Sequence, residues 1–152
     1  MSTLEDIEAI KQLKAEYCFA LDDNRLDDLV NLFTDDAVCD FEPYFGVARG
    51  RDAIRALFRA VEGDQPPGSP RTMHAVTNPW IRVTGDTAIG KWYLLDCIFY
   101  TKGEPRPLRI LARYDEQYRR VNDGWKIHHE KIVFFHADVA DIALGGMQPP
   151  PR

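Results

Sequence analysis

The sequence predicts an α+β fold, a cone-shaped roll of three N-terminal helices packed on a strongly curved antiparallel sheet. Three observations carry that prediction. Helical periodicity is confined to the chain before Gly63, long strand-like segments separated by turn residues follow from Met73 onward, and one of those segments is apolar on both faces.

Ser2 with Glu5 matches a capping box, and Ile7, Ile10, Leu13 or Lys14, Tyr17 and Leu21 then recur at helical spacing, so a first helix is expected from about Thr3 to Leu21. Asp22, Asp23 and Asn24 interrupt it with turn chemistry and can cap a shorter helix carrying Leu26, Leu29, Val30 and Phe33 on one side. A short β-like run, AVCDF, follows. Gly46 to Gly50 leads into a third helix with Ile54, Leu57, Phe58 and Val61 inward, ending near Gly63. The stretch GDQPPGSP has three prolines and two glycines in eight positions and must be a loop.

Four strand-like segments then alternate with turns at Thr84-Gly85-Asp86, Lys102 to Pro107 and Asn122-Asp123-Gly124, the pattern of an antiparallel meander. In Leu108 to Val121 one parity is mostly apolar and the other carries Arg109, Arg113, Asp115, Gln117 and Arg119, so one face meets water or a partner. In Thr87 to Tyr100 both parities are apolar, which predicts a subunit interface behind that strand. The last strand meets the charged block His128 to Lys131, where a bulge near His129 is expected, and parity does not say which member of the block turns inward. The tail from 138 to 152 ends in prolines and suits an arm lying on a neighbouring subunit better than a further helix.

At 152 residues the chain fits one domain, taken as 1–152. Its 24 acidic and 19 basic residues give a net charge of −5, which disfavours a nucleic-acid or anionic membrane partner and points to a small molecule. No apolar run approaches the ~20 residues of a membrane helix and the N-terminus lacks a signal-peptide pattern, so a cytoplasmic protein is expected. Cys18, Cys39 and Cys97 are odd in number and scattered among apolar neighbours, as reduced core residues would be.

Among four histidines, His74 stands out because it opens the first long strand in the string TMHAVTNPW, just after the proline-rich loop. An imidazole there can move protons near neutral pH if a carboxylate fixes its tautomer, and Asp22 is the candidate orienter. The competing reading of Asp22 is a cap for the second helix. Tyr17, on the sheet-facing side of the first helix, could polarise a carbonyl or simply fill the core. Tyr44, Trp80, Trp92, Arg113, His129 and Phe134 are candidates to line a pocket, each with a plain packing or solvation alternative. No phosphate loop, nucleophile elbow or metal-ligand spacing is present, so neither a metal nor a cofactor is expected.

The ordered segments ALDDNRLDDLVNLFTDDAV, GRDAIRALF, MHAVTNPWIRVTGDTAIGKWYL and YDEQYRRVNDGWKI resemble the SnoaL-like family over nearly the whole chain. That family belongs to the superfamily of nuclear transport factor two, scytalone dehydratase and ketosteroid isomerase. The resemblance implies a cystatin-like cone with a pocket in its concavity, and homodimers or homotrimers formed across the outer side of the sheet. It also implies a catalytic dyad on Asp22 and His74. The chain departs from scytalone dehydratase at Leu21, where that enzyme has a tyrosine, and from hexachlorocyclohexane dehydrochlorinase, another member of the superfamily, near Glu130, where that enzyme's last-strand arginine falls.

These features together point to a cofactor-independent lyase or isomerase acting on a small hydrophobic cyclic molecule, such as a polyketide, terpenoid, steroid or aromatic catabolite. The alternative is a non-catalytic binding or assembly subunit, such as the β-type subunit of a ring-hydroxylating dioxygenase.

Overall fold

The computed structural model describes residues 3–62, 71–99, 107–122 and 124–138. Three helices, α1 (Thr3–Asp22), α2 (Leu26–Asn31) and α3 (Arg51–Glu62), are combined with six strands: β1 (Phe33–Phe41), β2 (Gly46–Arg49), β3 (Thr72–Thr84), β4 (Thr87–Ile98), β5 (Leu108–Val121) and β6 (Gly124–Ala137). The strands form one sheet in the order β2-β1-β6-β5-β4-β3. The expected meander is β3 to β6. One pairing departs from the antiparallel expectation: β1 lies parallel to β6, which joins the first strand to the last.

α1 buries Ile10, Tyr17, Cys18 and Leu21 against the sheet, and the ambiguous position of its stripe is resolved in favour of Lys14, which is fully buried. Phe33, expected on the second helix, instead begins β1, and Ser2 of the expected capping box lies outside the described residues. Tyr17 meets Phe33, Phe58 and Tyr114 edge-on at centroid distances of 6.1, 6.2 and 6.0 Å, the offset geometry aromatic rings favour. These rings tie α1, α3, β1 and β5 into one core.

Register slips decide which side chains face inward, and two of them place the residues of interest here. In β3 the register with β4 slips between Thr77 and Trp80, where Asn78 takes a positive φ of 55° and Pro79 removes a donor. β3 is an edge strand, so the missing donor costs no ladder bond. Thr72, His74 and Val76 point inward before the bulge, and Ile81 and Val83 after it. In β6 the register with β5 slips at His128, next to the residue where a bulge was expected. Ile127 and Glu130 are therefore both buried, which settles the orientation of the charged block.

Inside the cone, the Lys14 ammonium bonds Glu116 at 2.5 Å and Glu130 at 2.9 Å, with all three side chains sealed from water. It also lies over the rings of Tyr17 and Tyr114, 3.9 and 3.4 Å from their centroids. The second oxygen of Glu116 accepts a very short bond from Tyr118, whose hydroxyl accepts the Trp92 indole N–H at 2.9 Å. Burial, reinforced by the charge of Glu116, pushes the Glu130 carboxyl up to about 7 against the pull of Lys14. A proton on Glu130 makes the cluster neutral, which is how two acids and one base can share a dry interior.

The outer face of the meander exposes Met73, Ile89, Tyr93, Leu95, Leu111 and Phe135. The other parity of β4 is buried, so both faces of that strand are apolar as its sequence reads, but among the described residues only one is covered. The segment proposed as a C-terminal arm lies beyond Asp138, outside the described residues.

Candidate active site

Asp22 is the last residue of α1, and the chain turns away through Asn24 at a positive φ of 54°. The turn frees the carboxylate from α2, whose N-cap position is Arg25 and has no side-chain cap. Instead, Asp22 reaches the start of β3. Its Oδ1 lies 2.6 Å from His74 Nδ1, and both oxygens accept the His74 backbone N–H at 3.1 Å. The capping reading of Asp22 therefore fails, because the carboxylate is occupied by strand β3.

The Asp22 contact holds a proton on Nδ1 and leaves Nε2 as the working edge of the ring. Nε2 faces Asp96, whose Oδ2 is 3.7 Å away. His74 and Asp96 are direct cross-strand partners on β3 and β4. Thr72, two residues before His74 on the same face, donates a very short hydrogen bond to Asp96 Oδ1. The side chains of Asp22, His74 and Asp96 retain 15%, 8% and 8% exposure, enclosed but not sealed.

The rows of side chains beside this group are apolar. Asp96 pairs with Ile110, and the next inward row is Val76, Leu94, Ala112 and Phe134. Tyr44, from the turn between β1 and β2, packs edge-on against Phe134 at 4.8 Å, so these two expected pocket residues meet each other.

Five other expected site residues are placed elsewhere. Trp80 is exposed on the outer face beside Lys91 and Arg82, because the Asn78 bulge reverses its parity. Arg113 also points outward, paired with Asp115 at 2.7 Å on its own strand. His129 flanks the inward Glu130 and so takes the opposite face of β6. Trp92 is buried and spends its N–H on Tyr118, so it is core and not a pocket wall. Tyr17 is likewise fully enclosed by aromatic rings and Lys14, which corrects its expected catalytic role.

Asp96 is a member of the site that the sequence reading above does not include. Its signal is nonetheless legible: the inward parity of β4 reads Ala88, Gly90, Trp92, Leu94, Asp96, Ile98, an apolar row broken by one acid. Among the described residues, no group of three His, Cys, Asp or Glu side chains is placed to hold a metal ion, and no helix is long and apolar enough to cross a membrane.

A curved sheet of this strand order covered by helices defines a class, the cystatin-like fold of NTF2-like proteins. Residues 2–131 match the SnoaL-like domain model, and the chain belongs to that family. It is 29% identical over 127 residues, 84% of each chain, to an uncharacterized protein of Mycobacterium tuberculosis. Among solved structures it is similar to an NTF2-like protein with a cystatin-like fold from Novosphingobium aromaticivorans, at 26% identity and a TM-score of 0.68, covering 93% of this chain and 89% of that one. A proposed scytalone dehydratase from the same organism superposes with a TM-score of 0.77 at 24% identity, covering 88% and 87% of the two chains.

Proposed function

We propose that this protein is a cofactor-independent lyase or isomerase of dehydratase type, acting on a small hydrophobic cyclic molecule. The observation that carries the reading is the three-bond hold of Asp22 on His74, by Nδ1 at 2.6 Å and by the backbone N–H at 3.1 Å to each oxygen. A carboxylate in that position fixes the ring's tautomer and orientation and stabilises the imidazolium formed when Nε2 takes a proton. His74 is then the base, removing a proton from carbon next to an activating group. Tyr44, half-buried beside Phe134, is the hydroxyl available to a bound ligand at the apolar rim. The resemblance to a proposed scytalone dehydratase supports the fold on which such chemistry is built.

The test is turnover of a panel of small cyclic hydroxyketones and enolisable ketones by wild type and by His74→Gln. The replacement should remove turnover, with a circular dichroism spectrum unchanged. Equal turnover in the folded variant would remove the mechanism.

We further propose that the exposed apolar row of Ile89, Tyr93, Leu95, Leu111 and Phe135 is covered by a second copy of the chain. Isolated exposed apolar residues are ordinary, but a contiguous set on one sheet face is the signature of an interface.

A further inference from the structure

α1 is tied to the sheet by three enclosed charged side chains, Asp6, Lys14 and Asp22, each eight residues from the next. A step of eight residues advances a helix by about 12 Å and turns it by about 80°, so the three ties pass obliquely over the sheet. Asp6 accepts from Arg120 of β5 at 2.8 Å and from the Trp125 indole N–H of β6 at 3.0 Å. Lys14 donates to Glu116 of β5 at 2.5 Å and to Glu130 of β6 at 2.9 Å. Asp22 holds His74 of β3.

Between Lys14 and Asp22 the helix buries Tyr17, Cys18 and Leu21. Apolar burial has no direction, and a helix seated by it alone slips by a fraction of an ångström at little cost. Charge-assisted hydrogen bonds are short and directional, so the Lys14 bonds set where the last two turns of α1 lie. The 2.6 Å contact of Asp22 with His74 inherits that placement. Stability alone does not account for the cluster. Apolar residues of like volume commonly replace a sealed ion cluster with no loss of stability, and the best-attested use of such a cluster is to fix register.

We propose that Lys14, Glu116 and Glu130 are positioning residues for the dyad: they set the seat of α1 that brings the Asp22 carboxylate onto His74. The consequence for turnover rests on the reading of His74 as the base, whereas the seat itself does not. Glu130 gives the cleanest test. A glutamine in its place still accepts from Lys14, and a methionine of similar length does not. Both replacements leave one Lys14–Glu116 ion pair, so they differ in the bond and not in the charge.

The experiment is hydrogen exchange by NMR on the full chain, comparing the His74 backbone amide with that of Tyr114 in the middle of β5. Global unfolding raises both rates alike, and unseating of Asp22 raises only the first. Glu130→Met should increase the ratio of the two rates by about tenfold or more over wild type, and Glu130→Gln should hold it within about twofold. The His74 Nδ1 proton, far downfield in wild type and Glu130→Gln because its bond is short, should move upfield in Glu130→Met. A folded Glu130→Met chain with the wild-type ratio and the wild-type Nδ1 signal overturns the proposal. If Glu130→Met does not fold, Lys14→Met with Glu116→Gln and Glu130→Met, which carries no charge in the cluster, is read against the same two signals. Turnover separates the two readings. Glu130→Met should lower kcat and leave KM unchanged, and a wild-type chain inert toward the ketone panel strikes the proposed reaction but not the seat of α1, which the exchange ratio decides.

Discussion

Asp22 and His74 are 52 positions apart in the sequence and are joined by three hydrogen bonds, one to the ring and two to the backbone of the same residue. The double grip does structural as well as chemical work, because it clamps the end of α1 to the start of β3. Asp22→Ala should therefore lower stability as well as activity. A loss of roughly 1–3 kcal/mol is expected from a partly buried N–H left unpaired, to be read from urea denaturation. Asp22→Asn, which can keep part of the hold, should cost less stability and still reduce turnover by about 10²-fold or more through loss of the oriented, charge-stabilised ring. If Asp22→Asn left turnover at the wild-type rate, the orienting role would be excluded.

Lys14 is the cation on which the buried carboxylate pair depends. Lys14→Met keeps the length and apolar stem but leaves two enclosed acids without a counter-charge. The expected cost is about 3–5 kcal/mol, the usual penalty for breaking a buried pair from one side. The double replacement Lys14→Met with Glu116→Gln should recover much of that loss. Denaturation midpoints of the two variants, compared with Glu116→Gln alone, measure the coupling.

Glu130 gives stability a definite pH dependence. Its carboxyl is raised to about 7 in the folded chain from an ordinary value of 4.5. Between those two values the unfolded chain has lost a proton that the folded one keeps, so the contribution is full below 4.5 and declines as pH rises to about 7, then levels off. Glu130→Gln imitates the protonated form and should flatten this descending limb. Thermal melting of wild type and variant from pH 4.5 to 8 is the measurement, and parallel curves would show that Glu130 is not the titrating group.

Gly90 is the position on β4 that Tyr118 lies against. A Cβ there would come within 2.9 Å of the Tyr118 ring and 3.1 Å of its hydroxyl oxygen. Tyr118 is held by Trp92 and Glu116 and cannot swing aside cheaply. Gly90→Ala should thus destabilise by about 1–3 kcal/mol, the range for overpacking a core. A changed near-ultraviolet dichroism from Trp92 should accompany it, and an unaltered melting point would mean that the ring moves freely.

The outer sheet face offers a test by size. Tyr93→Glu combined with Leu95→Lys places two charges in the exposed apolar row without touching the inward parity. Sedimentation should show wild type as a dimer or trimer and the double variant as a monomer of unchanged secondary structure. A wild-type chain that sediments as a monomer at high concentration would leave that face without a partner copy.

Periodicity and turn chemistry read along the chain determine a great deal here. The three helices, the four-strand meander and the division into one water-facing and one covered parity all follow from local spacing, because helix and strand repeats are short-range properties. His74 and Asp22 were also recognisable, one by its place at a strand start and the other by its place at a helix end. What local reading could not decide is where a residue points after a register slip. The Asn78 bulge sends Trp80 outward, and the extra residue at His128 turns Glu130 inward. Nor could it decide which charges meet. Lys14, Glu116 and Asp96 each look like a flaw in an apolar row; the closing of α1 over the sheet brings Lys14 to Glu116 and Glu130, more than a hundred positions away, and the pairing of β3 with β4 brings Asp96 to His74. Burial is tolerable for such groups only in company, and company is a property of the folded chain.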